Sequence, residues 1–150
     1  MRVFNGIDEV EKAVGEPLGH SDWVDITQER VDRFAEATGD HQWIHVDPER
    51  AATGLFGGTI AHGYLTLSLL PVLGSQIFTL DGFAMRVNYG ANKVRFPSPV
   101  PVGSKVRGAA EFVSLERTAK GANLVVKYTV EIEGAERPAL VAETIVVLVP

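Results

Sequence analysis

The sequence predicts an α+β fold, a central apolar helix followed by a curled antiparallel sheet, on three observations. From His62 onward, Tyr64, Leu65, Leu67, Leu69, Leu70, Val72 and Leu73 are apolar on nearly all sides, as expected of a helix that a sheet encloses. Two long downstream stretches alternate with a period of two. Val106, Gly108, Ala110 and Phe112 form one apolar row, and Leu124, Val126, Tyr128, Val130 and Ile132 form the next. Ala139 to Val149 is apolar at both parities, which suits a central strand.

The remaining elements follow in order. Asn5 is placed to cap a short helix with Ile7, Val10 and Val14 at helical spacing, and Gly15 to end it in the left-handed conformation. Leu18 to Asp25 reads as one strand, with His20 on its surface. Thr27 is the expected N-cap of a second helix, whose inner stripe is Val31, Phe34, Ala35 and Thr38 and which Gly39 closes. Asp47 followed by Pro48 is a helix start running to about Thr53. Pro71 should kink or end the apolar helix near Leu70, with Gly74 as a second break. From Phe83 to Phe96 a strand carries Asn88, Gly90 and Asn92, which point to a bulge, and Pro97, Pro99 and Pro101 then form an extended linker. Turns are expected at Lys120 to Asn123 and at Glu133 to Glu136.

Composition bounds the function. A chain of 150 residues, 45% hydrophobic, holds one domain with a real core and is too short for two. The net charge of -5 provides no basic field for nucleic acid, so an anionic ligand needs a local basic patch. Without cysteine there are no disulfides, thiolate nucleophiles or Cys-ligated zinc. Met1 to Gly6 lacks a signal-peptide core, and Leu65 to Leu73, broken by Thr66, Ser68 and Pro71, falls far short of the roughly 20 residues a membrane span needs. A cytoplasmic protein with no membrane partner is expected.

The chemistry concentrates between positions 40 and 63, where three of the four histidines lie. Asp40 and His45 stand five positions apart, just beyond a helix C-terminus whose dipole disfavours a charged carboxylate. His62-Gly63 opens the apolar helix, so a carboxylate, an imidazole and a helix start can face one ligand. The segment Gly39-Asp40-His41-Gln42-Trp43-Ile44-His45, followed by Ala61-His62-Gly63, resembles the signature of the MaoC-like hydratases, the R-specific 2-enoyl-CoA hydratases and dehydratases of the hot dog fold. Gln42 and Trp43 depart from that pattern, standing where the family has Asn and Pro. The resemblance extends from about Ser21 through Asn92 to Pro97 and on to the C-terminus.

The resemblance implies a single hot dog domain over residues 1–150 and a homodimer whose sheets join edge to edge. It also implies that Asp40 and His45 hold the catalytic water. The substrate it implies is an acyl-CoA or acyl carrier protein thioester, and no cofactor or metal is expected. Gly63 is the matching oxyanion donor through its backbone N–H. Gln42 is a candidate to orient the loop with its amide, His62 to contact ligand or to pack as a bonded histidine, and Lys93 and Arg95 to meet the CoA phosphates, with Lys105 and Arg107 behind. Two other readings keep the fold. A hot dog thioesterase would carry its acid on or beside the central helix, yet positions 64 to 73 contain no Asp or Glu. A non-catalytic acyl-thioester-binding module of the nodulation type has no need for Asp40 with His45.

Overall fold

A strand that the sequence did not disclose opens the chain. In the computed structural model, which describes residues 1–150, β1 (Arg2–Asn5) pairs in parallel with another short strand, β4 (Phe78–Asp81). This pairing corrects the capping expected of Asn5. Its backbone is committed to the ladder opposite Asp81, its N–H donates to Glu9 Oε2 at 2.7 Å, and Gly6 is the N-cap of α1 (Ile7–Lys12). Gly15 lies beyond that helix, in the following turn, where its N–H reaches the Phe112 carbonyl at 2.8 Å.

The expected strand from Leu18 to Asp25 is two pieces, β2 (Pro17–His20) and β3 (Val24–Asp25). Ser21 explains the interruption, because its hydroxyl accepts from the Gly108 N–H at 2.9 Å and so replaces a backbone partner. Helix α2 (Gln28–Thr38) has the bounds the sequence indicates, but Thr38, expected on its inner stripe, is exposed, with its hydroxyl turned back to the Phe34 carbonyl at 2.8 Å. Thr27 Oγ1 accepts from the Arg30 N–H at 3.1 Å, Val31 and Ala35 are buried, and Gly39 ends the helix at φ 80°, where a Cβ would be strained. Two short helices follow, α3 (Trp43–Val46) and α4 (Pro48–Ala52), the latter capped by Asp47 Oδ1 on the Arg50 N–H at 3.1 Å.

The central helix is α5 (Gly63–Ser68) continued by α6 (Leu70–Ile77). Pro71 sits in the first turn of α6, where a missing N–H costs nothing. Gly74, expected as a break, lies inside α6. A Cβ there would come 2.6 Å from the Tyr128 hydroxyl, so the position is small for packing reasons. The expected all-round burial is also incomplete, since Tyr64 and Val72 are exposed on the flank away from the sheet.

The sheet is completed by β5 (Met85–Arg95), β6 (Lys105–Thr118), β7 (Gly121–Ile132) and β8 (Leu140–Val149), antiparallel in the order β2-β6-β7-β8-β5 with β3 also on β6. The β6–β7 turn is tighter than expected, with Thr118 opposite Gly121. Register shifts between Asn88 and Gly90 and between Ala91 and Lys93 confirm the irregularity read from that stretch. Leu65, Leu69, Leu70, Leu73 and Ile77 pack against the inner row of the sheet, which includes Phe112, Leu124, Val126, Val130 and Leu140. Fully burying each such side chain contributes about 1.5–3 kcal/mol. A curled sheet around one helix is the hot dog arrangement. β5 is its open edge, paired only with β8 and exposed along nearly its whole length.

Candidate active site

His45 is carried by α3 and buried. Its Nδ1–H donates to the Ile60 carbonyl at 2.7 Å, which fixes the proton on Nδ1 and leaves Nε2 as the free acceptor. Two neighbouring segments are held together around it by Gln28, at the start of α2. Gln28 Nε2 donates to the His45 carbonyl at 2.7 Å, while Gln28 Oε1 accepts from the buried Thr59 hydroxyl at 2.6 Å. The sequence expectation gave an orienting amide to Gln42. The Gln42 side chain makes no hydrogen bond within the chain, and the amide that braces this segment is that of Gln28.

His62 approaches from the other side as the N-cap of α5, 2% exposed. Its Nε2–H donates to the Asp40 carbonyl at 3.0 Å, and its Nδ1 is buried without a partner. The ring stacks on His45 with centroids 3.9 Å apart, and Phe34 packs against it at 4.9 Å. It is therefore a packed, bonded histidine, and it does not line the adjoining cavity. Asp40 is exposed, with Oδ1 accepting a long bond of 3.4 Å from the Gln42 N–H. One carboxylate oxygen of Asp40 and one ring nitrogen each of His45 and His62 lie within 4.8 Å of one another. Stacked imidazoles aim their in-plane lone pairs side by side rather than at a common point, so this trio suits proton transfer better than metal ligation.

Beside the trio is a cavity of about 310 Å³ lined by His45, Ile60, Gly63, Thr66, Phe96 and Val100, among others. Gly63 forms its wall for two reasons. Its N–H, at the first position of α5, finds no acceptor in the chain, and a Cβ on it would lie 3.1 Å from the Phe96 ring. The proline-rich linker helps to build this wall. The Ala61 N–H donates to the Val100 carbonyl at 2.8 Å and the Val102 N–H to the Thr59 carbonyl at 2.9 Å, which pins the approach to His62 and Gly63.

Burial lowers the pKa of His45 from its ordinary 6.5, with neighbouring His62 acting in the same direction against the opposing Ile60 bond and Asp40 charge. The ring is held neutral, which keeps Nε2 a base. Lys93 and Arg95 are exposed on β5 and form no ion pair. They precede Phe96 but do not line the cavity. Gln28, Thr59 and Phe96 were missed by the sequence reading. Nothing distinguishes Gln28 from any polar residue in a first helical turn, whereas Phe96 had a signal in being a large apolar residue beside three prolines.

A family model described as the MaoC like domain matches residues 9–134. The chain is 57% identical over 97% of both chains to a protein of Mycobacterium tuberculosis named 3-hydroxyacyl-thioester dehydratase Z. It is also 48% identical, over 93% of this chain and 89% of the other, to nodulation protein N of Rhizobium leguminosarum bv. viciae. Among solved structures, the (R)-hydratase from A. caviae involved in PHA biosynthesis superimposes with a TM-score of 0.73 at 28% identity, covering 90% of this chain and 96% of that one. A family model spanning most of the chain and a relative matched along nearly its full length settle the assignment. The chain belongs to the MaoC-like dehydratase family and is a hydro-lyase of the hot dog fold.

Proposed function

We propose that the chain, as one hot dog domain, reversibly hydrates trans-2-enoyl thioesters to (3R)-3-hydroxyacyl thioesters, with Asp40 and His45 as the acid-base pair. The observation that carries this reading is the convergence of Asp40 and a neutral His45 next to a cavity whose wall is Gly63 with its unpartnered N–H. A water held between Asp40 and His45 adds its oxygen to C3 as one of the pair removes a proton, and a proton is delivered to C2. The π electrons of the double bond pass transiently to the thioester oxygen, and the Gly63 N–H is the donor in place to meet that charge. The relatives named for thioester dehydration and R-hydration support the substrate class and the R configuration.

Lys93 and Arg95, exposed on β5 shortly before Phe96, are the proposed contacts for CoA phosphates or an acidic carrier protein. Gln42 and His62 hold the catalytic segment through backbone and ring contacts rather than by touching substrate. A homodimer through the unpaired edge of β5 accounts for its exposed Met85, Val87 and Tyr89. A cytoplasmic location is part of this proposal, and no helix of the chain is long and apolar enough to cross a membrane.

The test is turnover of short and medium trans-2-enoyl-CoAs by the purified protein, with chiral analysis of the product. Formation of the 3R alcohol is expected, and formation of the 3S alcohol or release of free CoA would overturn the reading. The relative named nodulation protein N keeps a second reading in view, a thioester-binding module, for which the same assay gives saturable binding without turnover.

A further inference from the structure

We propose that the protein prefers acyl groups that carry an oxygen, as hydroxyl or ketone, toward the distal end of the chain, and that the Tyr128 hydroxyl reads that oxygen. The proposal rests on the thioester reading above and extends it to the far end of the substrate.

A second cavity, of about 450 Å³, lies along the central helix and is lined by Leu67, Leu70, Pro71, Tyr128, Thr144 and Val146, with the bulged part of β5 at its edge. It shares no lining residue with the first, but both lie along the same helix. Gly63, Leu67, Leu70 and Gly74 are spaced i, i+4, i+7 and i+11, so they share one helix face. Gly63 lines the catalytic cavity, and Leu67 and Leu70 line the second. From Gly63 to Leu70 the helix advances about 10 Å, so a medium-length chain anchored at Gly63 would end beside Tyr128.

The walls here are mainly apolar, and the polar side chains among them are Ser68, Asn88, Thr144 and the hydroxyl of Tyr128. Tyr128 is 7% exposed, and its hydroxyl makes no hydrogen bond to any group of the chain. Among the chain's side-chain polar atoms only His62 Nδ1 is both enclosed and unpartnered, so the Tyr128 oxygen opens on the cavity, where a ligand oxygen can reach it. Space has been kept for it as well. At Gly74, inside α6, any Cβ would come 2.6 Å from Tyr128 Oη, although glycine is a poor residue for a helix interior. Burial pushes the phenol up to about 12, so it remains a protonated donor at neutral pH.

Thr144 provides the complementary group. It is the diagonal neighbour of Tyr128 on the inner face of the sheet, since Ala142 stands opposite Tyr128 and Thr144 opposite Val126. Its hydroxyl makes only a long bond of 3.5 Å to the Val126 carbonyl and keeps its lone pairs free. A donor and an acceptor on one wall of an apolar slot fit a hydroxyl in both its roles and a ketone through Tyr128 alone. A saturated chain would leave both unpaired.

The experiment compares kcat/KM for two medium-chain trans-2-enoyl-CoAs of equal length, one with a distal hydroxyl and one without, using crotonyl-CoA as the short control. The wild type should favour the oxygenated substrate by about tenfold, the scale of one hydrogen bond. Tyr128→Phe should abolish that preference while leaving crotonyl-CoA turnover unchanged. Gly74→Ala, which displaces the hydroxyl, should reduce the preference too and shorten the longest chain accepted. A wild type without preference, or a folded Tyr128→Phe variant that retains it, would show that water satisfies the hydroxyl and overturn the proposal. If crotonyl-CoA itself is not hydrated, the hydratase reading fails separately, and the dissociation constants of the same CoA pair for wild type and Tyr128→Phe then decide this one.

Discussion

The imidazole rings of His45 and His62 stack with centroids 3.9 Å apart and planes inclined by 24°. Two rings in that position cannot both carry a proton without strong repulsion, and burial already disfavours the charged form of His45. The folded chain therefore binds a proton at His45 less readily than the unfolded chain does. The unfolded state gains that proton as pH drops through the ordinary 6.5, so stability present above 6.5 is lost as pH falls below it. Denaturant midpoints measured from pH 8 down to pH 5 should fall with pH in the wild type and fall less in His45→Gln. Equal slopes in the two proteins would show that His45 titrates normally.

Asp40→Asn and His45→Gln should each lower turnover by about 10²–10⁴-fold, the contribution of a general acid-base step, while leaving the fold intact. Because the two groups act on one water, the double variant should be little worse than the poorer single one. Near-normal turnover in either single variant would remove that residue from the mechanism.

At Gly63 the contrast between two substitutions is informative. Gly63→Pro deletes the unpartnered N–H and should cost about 10²–10³-fold in turnover, as loss of one oxyanion donor does, in a helix position that tolerates proline. Gly63→Ala keeps the donor but brings a methyl within 3.1 Å of the Phe96 ring, so its main effect should be on KM. Matching turnover numbers for the two folded variants would place the donor elsewhere.

Gln28 lies on α2 and should nonetheless affect catalysis. Gln28→Leu leaves the His45 carbonyl and the Thr59 hydroxyl without their partner, at a cost of about 1–3 kcal/mol. Gln28→Glu still accepts from Thr59 but cannot donate to His45, so it should fold better than Gln28→Leu and still lose turnover. Stability and kcat measured together separate the brace from a purely structural contact.

Sedimentation should find a homodimer at micromolar concentration. Val87→Lys with Tyr89→Glu, on the exposed edge of β5, should give a monomer with little activity. A fully active monomer would mean that the site is complete within one chain.

The sequence disclosed whatever was written as a long period or a strong cap. The alternating rows at Val106 to Phe112 and Leu124 to Ile132 became β6 and β7, Thr27 and Gly39 bounded α2 where expected, and Asp47 capped α4. Elements set by distant partners stayed hidden. β1 and β4 are each four residues long and exist because they pair with one another across the chain, and β2 stops where a serine hydroxyl replaces a backbone partner. Within the site, the spacing of Asp40, His45, His62 and Gly63 was legible. The bracing by Gln28 and Thr59 was not, since those two lie 31 positions apart and neither stands out in its own segment.

The position of β5 at the sheet edge also bears on how the protein is made. Its only strand partner within the chain, β8, emerges later, 45 residues after Arg95 if counted to Leu140. At a translation rate of about 5–20 residues per second, β5 waits several seconds on the nascent chain with both edges bare. Its two bulges and the charges of Arg86, Lys93 and Arg95 are features that discourage a bare edge from pairing with another chain during that interval.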